Sequence, residues 1–321
     1  MTKQILFCIA VLLFSSIEGS SQNRTIDGSM NNEQNEDLGA AGAQIQWITS
    51  YAFADGYSAP AGATRPNPRI ISNELFAQDT LLIDPLNLSD FTWVFGQFID
   101  HDITSISNDP SEPAFIPVNF ADQYFNPGNA FPFINIFMFR SQKIEGTGTD
   151  ISNPRQYTNN ITSWIDGSGI YGSDEIRAAY LRSFIDGKLR TSTGNLLPFN
   201  TTTGELDDPV DVSAPHMDNE NPMNDKLFVA GDSRANENLL LTSFHTLFVR
   251  EHNRLCDEFV AEYPDWTDEE LYQYARKINN GYIASIVFDE WLPVMGVDLS
   301  AYSSYDSSVN PNISSCPICI A

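Results

Sequence analysis

Positive charge is scarce in this chain. Over 321 residues, 17 Lys and Arg stand against 42 Asp and Glu, a formal charge of −25. Nucleic acids and anionic membrane surfaces attract proteins through Lys and Arg, so this balance argues against both as partners. It suits a soluble exported protein or one that binds divalent cations. Cysteine is equally sparse, limited to Cys8, Cys256, Cys316 and Cys319. Cys8 falls in the leader described below, and the three others are an odd number that fits poorly with a disulfide framework. Cys316 and Cys319 have the spacing of half a zinc site, but no second Cys or His pair at zinc spacing accompanies them. No stretch after the first 21 residues is long and apolar enough to span a bilayer.

At the N-terminus, Lys3 precedes a nearly unbroken apolar run from Ile5 to Phe14, too short to cross a membrane. Small residues at Gly19, Ser20 and Ser21 offer a cleavage point before Gln22. Residues 1–21 therefore read as a secretory signal. The mature protein is expected to be secreted, or periplasmic in a bacterium.

Residues 22–75, 105–160 and 192–228 are rich in Asn, Gly, Ser and Pro and read as loops, including an ordered wrap of turns around Pro66 to Ser72. No internal repeat is evident. Between the loops, helical periodicity is clear. Asp90 can cap a helix carrying Trp93, Val94, Phe95, Phe98 and Ile99. Leu239, Leu240, Phe244, Leu247, Phe248, Leu255 and Phe259 mark an amphipathic helix of about seven turns. Thr267-Asp268-Glu269-Glu270 is a capping box, opening a helix expected to stop at Pro293. Strand-like alternation is scarce, so a mainly α domain with long ordered loops is expected.

Three polar constellations interrupt this pattern. Phe95-Gly96-Gln97-Phe98-Ile99-Asp100-His101-Asp102 places Gln97, Asp100 and His101 on one helix face, three and four residues apart. Asp102 turns about 100° away from His101. The trio suggests a catalytic pocket and the lone carboxylate a hard cation; the bland reading is a helix with an ordinary wet face. Thr162-Ser163-Trp164-Ile165-Asp166-Gly167-Ser168 supplies oxygen donors that, with Asp102 as a remote carboxylate, would suit calcium. Taken alone the loop reads equally as an Asx or Ser turn. Ala230-Gly231-Asp232-Ser233-Arg234-Ala235-Asn236-Glu237 precedes the long helix. Asp232 or Ser233 can cap that helix, with Arg234 and Glu237 in its first turn. The alternative is a surface ion pair worth about 0–1 kcal/mol. His245 and His252 are seven residues apart, which argues against a helical zinc pair and for structural roles.

Together, these segments, with Ile170-Tyr171-Gly172-Ser173, His245-Thr246-Leu247 and Arg250-Glu251-His252-Asn253-Arg254, resemble the animal haem peroxidase superfamily. The likeness runs from about Arg24 to Ser314. It implies that hydrogen peroxide is used to oxidise a halide or small organic donor. His101 matches the distal histidine that moves the proton, Gln97 its pocket neighbour, and Arg234 the arginine that stabilises developing charge. The implied cofactors are haem b, ester-linked in many members through residues matching Asp100 and Glu237, and Ca2+. Asp102, Thr162, Trp164 through its carbonyl, Asp166 and Ser168 match the calcium ligands. Asn238 stands where myeloperoxidase has a haem-linked methionine, so no sulfonium link is expected. The family's proximal histidine lies on a helix further along than this chain reaches. Residues 22–314 are thus expected to form the N-terminal and central part of the domain, incomplete at its C-terminus, with 315–321 a divergent tail. The alternative is a non-catalytic secreted calcium-binding or adhesion protein, or an inactive peroxidase fragment.

Overall fold

A computed structural model describes residues 23–219 and 223–312. The expected signal segment and the 315–321 tail lie outside the described residues. The helices are α1 (Pro68–Phe76) and α2 (Phe91–Asp100), then the short α3 (Ser168–Tyr171) and α4 (Glu175–Leu181), and the long α5 (Leu239–Glu262) and α6 (Asp268–Ser285). A π-helical stretch, Ile286–Trp291, and a last turn, α7 (Leu292–Val294), follow α6. Between α2 and α3, two antiparallel strands, β1 (Asn108–Val118) and β2 (Ile134–Ser141), form a hairpin. The architecture is mainly α with long loops, as the periodicity predicts.

The core forms where α2, α5 and α6 bury their apolar faces together. Val94, Phe95, Phe98 and Ile99 of α2 join Leu241, Phe248 and Val249 of α5, with Tyr272 and Ile283 of α6. Phe98 is wholly buried and stacks on Phe248 at 5.3 Å between ring centroids. Trp291 lies across α2, donating from its indole nitrogen to the Thr92 carbonyl at 2.8 Å. Gly96 permits that approach: a Cβ there would sit 3.0 Å from the indole ring.

Several expectations need correction. Pro66 to Ser72 is not only turns, because α1 begins at Pro68. Asn67 caps it by accepting from the Arg69 and Ile70 amides, and Pro68 occupies the first turn, where a missing N–H costs nothing. The 105–160 stretch is not loop throughout, because it contains the hairpin. Pro113 and Pro117 are tolerated in β1 because a two-stranded ladder leaves each strand one unpaired edge. Asp90 holds the N-cap position of α2 without a side-chain cap bond. Neither Asp232 nor Ser233 caps α5; Asn238 does, accepting from the Leu241 amide at 2.8 Å. Arg234 and Glu237 therefore lie in the preceding loop, where the Glu237 amide donates to the Arg234 carbonyl. The Thr267 to Glu270 capping box is present. The helix after it does not stop at Pro293 but passes through the π turn, and Pro293 sits in the first turn of α7.

The α5 histidines are structural, though His252 does not use its charged neighbours. His252 Nε2 faces the Gly187 carbonyl at 2.9 Å and must carry the proton. Nδ1 therefore accepts from the Tyr171 hydroxyl at 3.0 Å. Burial, reinforced by the charges of Arg182 and Arg276, holds this imidazole neutral and lowers its pKa to about 4. The unfolded chain, with an ordinary value near 6.5, takes up a proton first as pH falls. The contribution of His252 is thus complete above about pH 6.5 and is lost progressively down to about pH 4, to the extent of roughly 3 kcal/mol. Urea unfolding at pH 7 and pH 5 should show a smaller pH-dependent loss in His252→Gln than in the parent. Equal losses would contradict this assignment.

Candidate active site and cation loop

The last turn of α2 delivers Gln97, Asp100 and His101 to one side, as their spacing requires. His101 is the C-cap residue and keeps helical dihedrals, so the register with Gln97 holds. Its Nε2 lies 3.9 Å from Glu237 Oε2, and its Nδ1 lies 3.9 Å from Asp232 Oδ1. Both separations exceed a hydrogen bond, and buried Nδ1 has no partner among the described residues. Burial, followed by the charge of Arg234, lowers the His101 pKa to about 4. The ring is therefore neutral at physiological pH and able to accept a proton.

Arg234 reaches the same region from the loop before α5. Its guanidinium is held in a fork by Asp232, with Nε donating to Oδ1 at 2.9 Å and Nη2 to Oδ2 at 2.7 Å. Nη2 also donates to the Thr104 carbonyl at 2.9 Å, just beyond His101. Burial alone would raise the Asp232 pKa; the hydrogen bonds and charge of Arg234 overcome it and keep this carboxylate ionised. This is a buried, bidentate ion pair rather than the surface pair considered from sequence. Asp232 is thus a site residue that the sequence suggested only as a helix cap; an i, i+2 Asp–Arg spacing carries no signal for a clamp. Asp100, at the end of α2, adds negative charge near Arg234.

Asp102 turns the other way, into the Thr162 to Ser168 loop. Its Oδ1 accepts from the Ser168 hydroxyl at 2.8 Å and the Gly169 amide at 3.1 Å, and its Oδ2 accepts from the Gly167 amide at 3.1 Å. Thr162 Oγ1 donates to Asp166 Oδ2 at 2.9 Å and sits 3.4 Å from the Trp164 carbonyl. Asp102, Thr162, Asp166 and Ser168 are all buried, and Asp166 Oδ1 has no hydrogen-bond partner among the described residues. Burial raises the pKa of both carboxylates, and the charge of Asp166 raises that of Asp102 further. Two buried carboxylates facing each other with hydroxyl and carbonyl oxygens suit a hard divalent cation. Among the described residues no three His, Cys, Asp or Glu converge on a metal position. Asn280, unnoticed in the sequence, secures the loop by donating to the Asp166 carbonyl.

The two sites are joined. The Asp232 amide donates to the Gly169 carbonyl, and Gly231 packs against the Ser168–Gly172 backbone. His245 Nδ1 meets the same Gly169 carbonyl at 2.8 Å, so its role is to support this junction. His216 is exposed beside Asp218.

Residues 23–317 match the family model described as animal haem peroxidase. Peroxinectin A of Dictyostelium discoideum is 30% identical over 321 aligned residues, 97% of this chain and 58% of its own length. Dual oxidase 1 of Caenorhabditis elegans is 32% identical over 329 residues, 98% of this chain and 21% of its own. The solved structure of peroxidase A from Dictyostelium discoideum superposes with a TM-score of 0.76 at 30% identity, covering 92% of this chain and 57% of that one. An Arabidopsis thaliana fatty acid alpha-dioxygenase, at TM-score 0.64 and 22% identity, shares the fold alone. This chain thus spans between about a fifth and three-fifths of the length of the two relatives. With the family model matched across nearly its whole length and the same fold found in a solved peroxidase, the chain belongs to the animal haem peroxidase family.

Proposed function

We propose that this chain carries the distal side of a haem peroxidase site, with hydrogen peroxide as oxidant and a halide or small organic molecule as donor. The observation that carries this reading is the neutral, buried His101, whose Nε2 lies 3.9 Å from the Glu237 oxygen that accepts from Gln97 and whose Nδ1 lies 3.9 Å from the Asp232 that clamps Arg234. The residues fit a haem edge. Apolar side chains next to the pocket stay uncovered among the described residues, with Trp93 one turn before Gln97 at 55% and Leu239 beside Asn238 at 88% exposure. Asp100 and Glu237 are the carboxylates that would meet the haem, including through ester bonds. Bound haem supplies the redox-active iron at which the peroxide O–O bond is cleaved.

This chain's own residues handle protons and charge. His101, neutral at the start, takes the proton from one peroxide oxygen and returns it to the departing oxygen. Arg234 stabilises the negative charge that develops there. Its geometry is fixed beforehand by Asp232, so no reorganisation is needed during the reaction. A calcium ion held by Asp102, Thr162, Trp164, Asp166 and Ser168 would anchor the backbone immediately after His101 and so orient the imidazole. No helix among the described residues is long and apolar enough to cross a membrane. Secretion is part of this proposal.

The direct test is an absorption titration of the purified chain with ferric haemin, calcium and free imidazole. Free imidazole is included as an added nitrogen ligand for the haem iron. A Soret band distinct from that of bis-imidazole haemin, saturating at one equivalent, is expected. A spectrum of free bis-imidazole haemin at every ratio would overturn the reading.

A further inference from the structure

The Gln97 side chain is held at both ends of its amide, and the orientation is dictated from the backbone. The Leu241 amide in the first turn of α5 can only donate, so the Asn238 atom facing it at 2.8 Å must be the oxygen. Asn238 Nδ2 is thereby turned outward and donates to Gln97 Oε1 at 3.0 Å. With Oε1 so occupied, Gln97 Nε2 faces Glu237 Oε2 at 2.6 Å and donates to it. That same Glu237 oxygen is the one 3.9 Å from His101 Nε2. A helix cap therefore sets, through three consecutive hydrogen bonds, which end of Gln97 faces the pocket.

We propose that Asn238 is a positioning residue of the distal pocket, locking Gln97 as a hydrogen-bond donor and Glu237 as the carboxylate that accepts from it beside His101. The inference rests on the peroxidase reading for its purpose but not for its geometry. Without Asn238, the Glu237 carboxylate alone would favour Nε2 at its end, and Gln97 could turn away from it, because the two ends of its amide are nearly equal in shape. Asn238 removes that choice. One Nε2 hydrogen goes to Glu237, and Oε1 accepts from Asn238. A side chain at position 238 without an N–H loses this control even if it caps α5 equally well. Aspartate has no donor, and the serine hydroxyl stops where the asparagine Cγ stands, one bond short of the Nδ2 that meets Gln97; both cap helices about as well as asparagine.

The test uses the full chain without haem, labelled with 15N-glutamine, with the Gln97 side-chain amide assigned by its disappearance in Gln97→Met. In the parent, the proton shared with the Glu237 carboxylate should resonate downfield of the other glutamine amides and lose that shift in Glu237→Gln. Asn238→Asp and Asn238→Ser should abolish the same shift while the melting temperature stays close to the parent's. The capping role alone would leave the Gln97 resonances in place, and that result in either folded variant would overturn the proposal. On haem-loaded protein, Asn238→Asp should also slow the peroxide reaction about tenfold with unchanged haemin affinity. Because the resonance measurement needs no haem, a failed haemin titration would remove the peroxidase reading and leave this result to stand or fall independently.

Discussion

Chelation with EGTA is expected to lower the melting temperature of this chain by several degrees, and Asp166→Ala is expected to erase the difference between calcium and chelator. Asp102 and Asp166 are buried together, and burial penalises both charges. Asp166 Oδ1 has no hydrogen-bond partner among the described residues. A cation that binds only the folded chain stabilises it by RT ln(1 + [L]/Kd), about 2.7 kcal/mol at one hundred times Kd. In a domain of this size each kcal/mol moves the midpoint by about 2 °C. Asp166→Ala should therefore melt near the chelated parent under both conditions. Identical melting of the parent with and without chelator would remove calcium from the account and return the Thr162 to Ser168 segment to an Asx/Ser turn.

Gly231→Ala should be among the most damaging single-methyl additions available to this fold. Its Cβ would stand 2.1 Å from the Ser168 carbonyl oxygen and 2.6 Å from both the Gly169 carbonyl carbon and the Gly172 nitrogen. These are backbone atoms of the short helix α3 and its C-cap Gly172 and cannot swing aside as a flexible side chain would. Overpacking of a core costs about 1–3 kcal/mol when neighbours can adjust, and more when they cannot. We expect a loss above about 3 kcal/mol, in the tail reserved for specific packing faults. The clash falls where the loop carrying Arg234 meets the backbone that follows the Thr162 to Ser168 segment. Gly281→Ala provides the contrast. It lies within α6 with nothing near its added Cβ, so it should be neutral or stabilising by up to about 1 kcal/mol in urea unfolding. Comparable melting of the two variants would contradict the packing described for Gly231.

The helices that could be read from sequence are those whose determinants are local. The apolar stripe from Leu239 to Phe259 and the capping box at Thr267 each specify their helix within a few residues, and both helices form. The hairpin was illegible because β1 carries prolines at 110, 113 and 117 and pairs only with β2, some twenty residues away. Its stability depends on that distant register and on side-chain ties such as Arg155 to Glu112 at 2.7 Å, which no local window contains. In α1, Asn67-Pro68 reads equally as a turn or as a helix start, and the structure resolves that ambiguity in favour of the helix.

The candidate site divides in the same way. The shared face of Gln97 and His101 follows from helical spacing, and the opposite course of Asp102 follows from the same 100° step. The clamp of Asp232 on Arg234 and the contact of Asn238 with Gln97 join residues whose relation exists only after α2 and α5 have packed together. Asp232 even carried a plausible local role as a helix cap, which concealed its function. Residues that position other residues, rather than act themselves, were thus the least visible.

The measurement closest to the central claim compares the parent and His101→Ala, each loaded with haemin, calcium and free imidazole, mixed with hydrogen peroxide and followed at the Soret band. Removing a general acid–base group of this kind typically costs about 10²–10⁴ in rate. The account predicts a loss of that size in His101→Ala, with haemin binding preserved. Equal peroxide reactivity in the two proteins would contradict His101 as the proton carrier and, with it, the placement of a distal peroxidase site in this chain.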